Sequence, residues 1–150
     1  METHYHKFSN SSSSDENQIT QLIDTYGQGF IDKDVDKILS VYSDDAVAFY
    51  EVGQLQVKGR KELEAFWEDC IDQSGTNDFA PHELSLRIDQ NLAVAHYLSH
   101  VLCLTKAGDK IDHWSRCTLT FVKEDGAWVV IHEHTSVPFD GLIPSPDVTH

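Results

Sequence analysis

The chain predicts an α+β fold in which three N-terminal helices pack on a strongly curved, mainly antiparallel sheet. Apolar residues recur at helical spacing as far as Ile71, and from Pro81 onward they recur at strand spacing. Turn residues at Gln90-Asn91, Ala107-Gly108-Asp109 and Asp125-Gly126-Ala127 divide the second half into a meander. Helices first and a meander afterwards exclude a parallel, doubly wound sheet.

Each element has its own signal. Asp15 with Gln18 three positions on resembles a capping box, and Ile19, Leu22, Ile23, Tyr26 and Phe30 then share one face, which predicts a helix over 15–32. Gly27 and Gly29 each weaken that helix by roughly 1 kcal/mol relative to alanine, so something must pack closely against its last turns. Asp34 caps a short second helix that buries Val35, Ile38, Leu39 and Tyr42. Ala46 to Tyr50 reads as a strand, Gly53 as a turn and Leu55 to Val57 as a short strand. After Gly59, a third helix presents Leu63, Phe66, Trp67, Cys70 and Ile71. Strands follow at about 83–90, 92–105, 110–123 and 127–138.

These elements make one domain over 15–139. The Ser-rich stretch before it (1–14) and the Pro144 and Pro146 region after it (140–150) bury too little to offset the entropy of ordering and read as tails. A chain of 150 residues suits a single core. Its 11 basic and 25 acidic residues leave a formal charge of -14, which repels nucleic acid and anionic lipid; neither is an expected partner. Cys70, Cys103 and Cys117 are odd in number and lack zinc-knuckle or redox spacing, so reduced thiols are expected. No stretch has signal-peptide character or approaches the ~20 apolar residues of a membrane span, which points to the cytoplasm. His4 and His6 have a spacing that could clip a metal ion, but they sit in the tail; no metal or other cofactor is expected.

Chemistry sits on the strands, where residues two apart share a face. On the last strand regular alternation groups Trp128, Val130, His132, His134 and Ser136, opposed by Val129, Ile131, Glu133, Thr135 and Val137. The preceding strand groups Trp114, Arg116, Thr118 and Thr120 against Ser115, Cys117, Leu119 and Phe121, and an earlier one groups His96, Leu98 and His100. If neighbouring strands align these sets, one wall carries four imidazoles, a guanidinium and an indole. Unpaired buried polar groups cost on the order of 1 to 3 kcal/mol each, so such a wall implies a wet cavity. The opposite parity is apolar too, and parity alone does not say which face lies inside. With both faces apolar, helices cover one and a second subunit the other, giving a homodimer through the sheet.

At these residues the sequence resembles a known family. Tyr26 to Tyr50, with Lys33-Asp34-Val35-Asp36 and Tyr42-Ser43-Asp44-Asp45-Ala46-Val47, followed by Gly59-Arg60, is similar to the SnoaL-like and ketosteroid-isomerase-like branch of the nuclear transport factor 2-like superfamily. Arg116-x-Thr118, Asp125-Gly126-x-Trp128 and His132 to Phe139 resemble the subgroup that includes the association domain of calcium/calmodulin-dependent protein kinase II. The resemblance implies a cone-shaped, cystatin-like fold, a homodimer through the convex sheet face and a ligand pocket on the concave one. By that analogy His96, His100, Arg116, His132 and His134 lie inside. Of the isomerase chemistry, Tyr26 matches the helix-one tyrosine, but the base position falls on Tyr50, with Glu51 beside it, and the late-strand acid falls near Cys117 or Thr118.

The resulting expectation is a small-molecule-binding domain whose pocket is lined by Tyr26, Phe30, Tyr50, Trp67, His96, His100, Trp114, Thr118 and Ser136. In the alternative, a lyase, isomerase or cyclase, His134 and His132 move protons and Arg116 orients an anionic or carbonyl-bearing substrate, because imidazole titrates nearest neutral pH. A third reading is a pure oligomerisation module. The His132-x-His134 pair also has zinc spacing, with His96 or His100 as a further ligand, and loosely resembles the iota-class carbonic anhydrases, although Glu133 stands where they carry histidine. Regular alternation leaves no Asp or Glu on the histidine-bearing parity, which favours binding or histidine-driven chemistry.

Overall fold

A computed structural model describes residues 3–7, as backbone, and 13–141. Three helices, α1 (Ser13–Asp32), α2 (Val35–Leu39) and α3 (Gly59–Gln73), cover one face of a seven-stranded sheet. Its strands are β1 (Thr3–Lys7), β2 (Tyr42–Phe49), β3 (Val57–Lys58), β4 (Ser74–Asp89), β5 (Leu92–Thr105), β6 (Lys110–Glu124) and β7 (Ala127–Ser136), in the spatial order β1-β4-β5-β6-β7-β2-β3. β4 to β7 form the antiparallel meander, whereas β1 joins β4 and β2 joins β7 in parallel. The segment read as an N-terminal tail therefore contains a strand on the β4 edge, and the metal clip at His4 and His6 concerns side chains outside those described.

Helix placement follows the sequence closely. Asp34 accepts from the Lys37 amide at 3.1 Å as the cap of α2. The two α1 glycines sit where close approach requires them: a β-carbon at Gly27 would lie 2.6 Å from the Phe79 ring, and one at Gly29 would lie 2.9 Å from the Ile38 backbone nitrogen. α1 starts two residues before the anticipated cap. Asp15 thus lies within its first turn, where the carboxylate accepts from the Trp128 indole at 2.9 Å and from Lys123 at 3.1 Å and ties the helix to β6 and β7. The Asp44 and Arg60 motif residues are structural: Arg60 pairs with Asp44 at 3.1 Å and donates to the Leu39 carbonyl.

The core lies between helices and sheet. Ile19, Ile23, Ile38, Leu63 and Trp67 from the helices meet Leu84, Leu86, Ala95, Tyr97, Cys117, Leu119, Phe121 and Val130 from the strands. Two irregularities bend the sheet, as bulges do. In β4 the pairing shifts between His82 and Ser85, with Glu83 at φ 52. In β7 Phe121 pairs with Val130 but Thr120 pairs with His132, so Ile131 is an extra residue in the ladder.

Candidate functional site

That single extra residue decides which side chains enter the cone. Trp128 and Val130 point to the helices, but beyond Ile131 the alternation is displaced by one, so Glu133 points inward and His132 and His134 point outward. β6 contains no such step: Ser115, Cys117, Leu119 and Phe121 are buried, while Trp114, Arg116 and Thr118 face out. On β5, Ala93, Ala95, Tyr97 and Ser99 are inside, and His96, Leu98 and His100 are on the other side.

The imidazole and guanidinium wall therefore exists, but on the outer face of the sheet. His96, Thr118 and His134 lie in register across β5, β6 and β7, and Arg116 pairs with Leu98 and Ser136. His132 Nδ1 is 2.6 Å from the Val47 carbonyl, with the Phe49 ring edge-on to both His132 and His134. His100 stacks on Trp114 at 4.2 Å and holds Asp112 at 2.6 Å, with His82 alongside. Placing His96, His100, Trp114, Arg116, Thr118, His132, His134 and Ser136 in the cone is thus corrected: on β5 and β6 the parity was right but the resemblance assigned it to the wrong face, and on β7 the bulge at Ile131 turns His132, His134 and Ser136 to that same outer face. Tyr26, Phe30, Tyr50 and Trp67 do lie inside. Among the described residues no group of three or more His, Cys, Asp or Glu converges as a metal site.

What the interior does contain is an acid. Glu133 is 1% exposed, and its Oε1 accepts from the Tyr42 hydroxyl and, at 3.0 Å, from the Tyr50 hydroxyl. The two phenols are 3.1 Å apart, and the Trp67 indole donates to Tyr50 at 3.2 Å. Oε2 faces the Cys117 thiol at 3.8 Å. Tyr26 completes the ring, edge-on to Tyr42, Trp67 and Phe79. Burial raises the Glu133 pKa; the phenol hydrogen bonds pull it back, and the charge of Glu51 pushes it up again. Burial likewise lifts the phenols of Tyr26, Tyr42 and Tyr50, with the nearby Glu133 carboxyl adding to the effect, so they remain protonated donors.

Around this cluster the cone is closely packed. The free volume beside it is about 10 Å³, lined by Leu22, Ile23, Tyr26, Val41, Tyr42, Leu119, Phe121 and Val130, room for no more than a single water. A larger hollow of about 530 Å³ is an open surface groove between the first turns of α1 and the start of β7. Beside Glu133, Tyr50 stacks its ring on Phe66 at 4.2 Å and leads into the non-regular segment 51–56, which exposes Val52 and Leu55. Regular alternation had left no inward acid on the histidine-bearing parity. The corrected register supplies Glu133, with Tyr42 as its main partner.

Comparison with known proteins agrees with this architecture. A family model described as the SnoaL-like domain matches residues 19–140. A nuclear transport factor 2-like protein of unknown function from Pseudomonas putida KT2440 is 35% identical, with a TM-score of 0.77 over 86% of this chain and 90% of that one. A Xanthomonas campestris protein assigned to the calcium/calmodulin dependent protein kinase II association domain is 21% identical, with a TM-score of 0.74 over 93% of this chain and 97% of the other. A nuclear transport factor 2-like superfamily protein from Salmonella enterica is 15% identical, with a TM-score of 0.77 over 93% and 100%. The latter two share the fold alone. Among curated proteins none matches, and among the described residues no helix is long and apolar enough to cross a membrane.

Proposed function

The chain belongs to the SnoaL-like domain family, and we propose that this member binds a small, neutral, oxygen-bearing molecule at the open end of its cone. The Glu133 carboxyl and the Tyr42 and Tyr50 hydroxyls form the polar floor of that site. One observation carries the reading: a carboxyl group with 1% exposure, ringed by phenols and packed against a largely apolar core. Replacing such buried ionisable clusters by apolar side chains is often neutral or stabilising, so stability does not account for this one. Perturbed carboxyls in a cleft are instead a mark of functional sites. The ligand is neutral because Arg116, the guanidinium anticipated as its anion partner, lies on the other side of the sheet. Entry requires Tyr50, Phe66 and the 51–56 segment to move aside, since the closed cone has no room for a ligand.

The test uses 2-naphthol, whose hydroxyl presents the oxygen the floor would engage and whose fluorescence reports its surroundings. Wild-type protein is expected to bind it, and Glu133→Gln to weaken binding about tenfold, the loss of one charge-linked hydrogen bond of roughly 1.5 kcal/mol. Equal affinity in the two proteins, or no binding by the wild type at millimolar concentration, would remove Glu133 from a ligand site.

The outer sheet face supports a homodimer. Val94, Leu98, Leu102 and Trp114 are each exposed by more than a third there, a row of large apolar side chains on a face that no helix among the described residues covers. Light scattering is expected to give about 34 kDa, twice the 17.0 kDa chain, and Trp114→Asp to lower it toward the monomer value. A wild-type mass of one chain in dilute solution would end this assignment.

A further inference from the structure

Histidines and large apolar side chains alternate along the outer face of β5. The outward positions run Val94, His96, Leu98, His100 and Leu102, and the three apolar residues are all exposed. Same-face neighbours stand roughly 7 Å apart, so no partner can cover Val94 and Leu98 without covering His96 between them. Neighbouring strands extend the pattern. His96 lies in register with Thr118 and, through it, with His134; Ser85 flanks it on β4, and Phe49 packs edge-on against His132 and His134.

The occupant that fits this row is a second copy of the chain. The order apolar, imidazole, apolar, imidazole, apolar reads the same from either end, so a two-fold axis near Leu98 sets apolar against apolar and imidazole against imidazole, as an isologous contact requires. The strands from β4 to β2 present a face of roughly 24 Å by 27 Å, on the order of 650 Å² in projection, near the ~800 Å² per partner that stable dimers bury. Burial in such a contact suits a neutral imidazole and opposes a charged one. His100 has a compensating carboxylate, with Nε2 2.6 Å from Asp112 Oδ1, and it stacks on Trp114. Among the described residues only His100 and His113, of the histidines, pair with a carboxylate, so His96 lacks one. The charged groups beside His96 are Arg87, in register with Val94 on β4, and Arg116, in register with Leu98 on β6; both repel an imidazolium. His82 also pairs with Leu98, from β4.

We propose that His96 makes the outer sheet face a proton-sensitive self-association surface: two chains join while the ring is neutral and part when it takes a proton. The proposal rests on the homodimer reading above and adds the control of that contact. Imidazole titrates between pH 5 and 8. Every imidazole that must be neutral in the dimer raises the dissociation constant by up to about tenfold per pH unit once the free ring is protonated. Two imidazoles of ordinary pKa, about 6.5, together contribute about a hundredfold between pH 7.5 and 5.5. Overall charge predicts the opposite sign. Two chains of formal charge -14 repel each other less as pH falls toward the pI of about 4.8, so weaker association in acid identifies the histidine face.

The experiment is sedimentation velocity on dilution series of the full chain at pH 7.5, 6.5 and 5.5, at a salt concentration of about 0.15 M, with near-ultraviolet circular dichroism of the same samples. The wild-type dissociation constant is expected to rise about a hundredfold or more across this range while the native dichroism is retained. In His96→Gln, which cannot take the proton, the rise is expected to shrink by roughly tenfold or more. A constant that stays level or falls in acid, or a rise of wild-type size in His96→Gln, overturns the switch and leaves the dimer standing. Dissociation that coincides with loss of the near-ultraviolet signal belongs to unfolding and overturns the switch as well. Wild-type protein with the mass of one chain at every pH and concentration ends the homodimer reading, and the switch with it.

Discussion

Replacing Glu133 by glutamine tests the inward acid through its proton. Burial lifts the folded-state pKa of Glu133 above its ordinary 4.5, so between 4.5 and the folded value the native protein holds a proton that the unfolded chain has released. The stability from this group is fully present below pH 4.5 and is lost as pH rises through the folded pKa. The slope is bounded by one proton, about 1.4 kcal/mol per pH unit. Glutamine has no such proton. Its carbonyl can still accept from Tyr42 and Tyr50, but its amide faces the Cys117 thiol, a weak acceptor, which costs about 1 to 3 kcal/mol at every pH. The variant should therefore be the less stable at pH 4.5, with the gap closing as pH rises. For a chain of this length 1 kcal/mol moves Tm by roughly 2–4 °C, so the gap should narrow by at most about 3–6 °C per pH unit inside the window. Thermal denaturation of both proteins from pH 4.5 to 7.5 measures it. Parallel curves would show that Glu133 releases its proton alike in both states, and the buried-acid argument would fail.

Two further outcomes are expected. Gly29→Ala should lower the urea midpoint by the equivalent of about 1–2 kcal/mol, since overpacking costs roughly 1–3 and helix propensity returns at most about 1; its new carbon meets the Ile38 backbone at 2.9 Å, whereas Gly27→Ala meets only the movable Phe79 ring and should cost less. Deleting Ile131 should leave Glu133 inside, because Val130 and His132 then follow one another in the ladder as Phe121 and Thr120 already do; a deletion variant that lost the Glu133-dependent pH slope would contradict the bulge.

The fold was legible in the sequence because its signals are local. Asp34 capping α2, the apolar face of α3 and the Asp125-Gly126 turn, where both residues take positive φ, each need only a few neighbouring residues to be read. Crowding at Gly27 and Gly29 was also readable, since a glycine in mid-helix lowers stability unless something approaches it. The short strand β1 was not readable: its pairing with β4 joins residues about eighty positions apart, and nothing local in a Ser-rich setting announces it.

The site failed to read correctly for two reasons: alternation does not say which face of β5 and β6 lies inside, and on β7 the answer turns on one residue. From the Asp125-Gly126 hairpin the register is regular through Lys123 with Trp128 and Phe121 with Val130, and continuing it places His132 beside Leu119, inside the cone. Trp128, Val129, Val130 and Ile131 are all apolar, so this run fits either face and hides the position of an extra residue. Chemistry in the following residues is what distinguishes the two registers. Without a bulge, two imidazoles would be buried among Leu119, Phe121 and Val130 while Glu133 faced solvent. With the bulge, both imidazoles reach the surface and one carboxyl is buried instead, but it meets two phenol hydroxyls and a thiol already pointing inward. Buried polar groups require partners, and Tyr42 and Tyr50 are partners that a carboxyl can use as an acceptor. Counting the inward hydroxyls of Tyr42 and Tyr50 against inward polar groups on β7 is therefore the sequence argument that favours the bulged register.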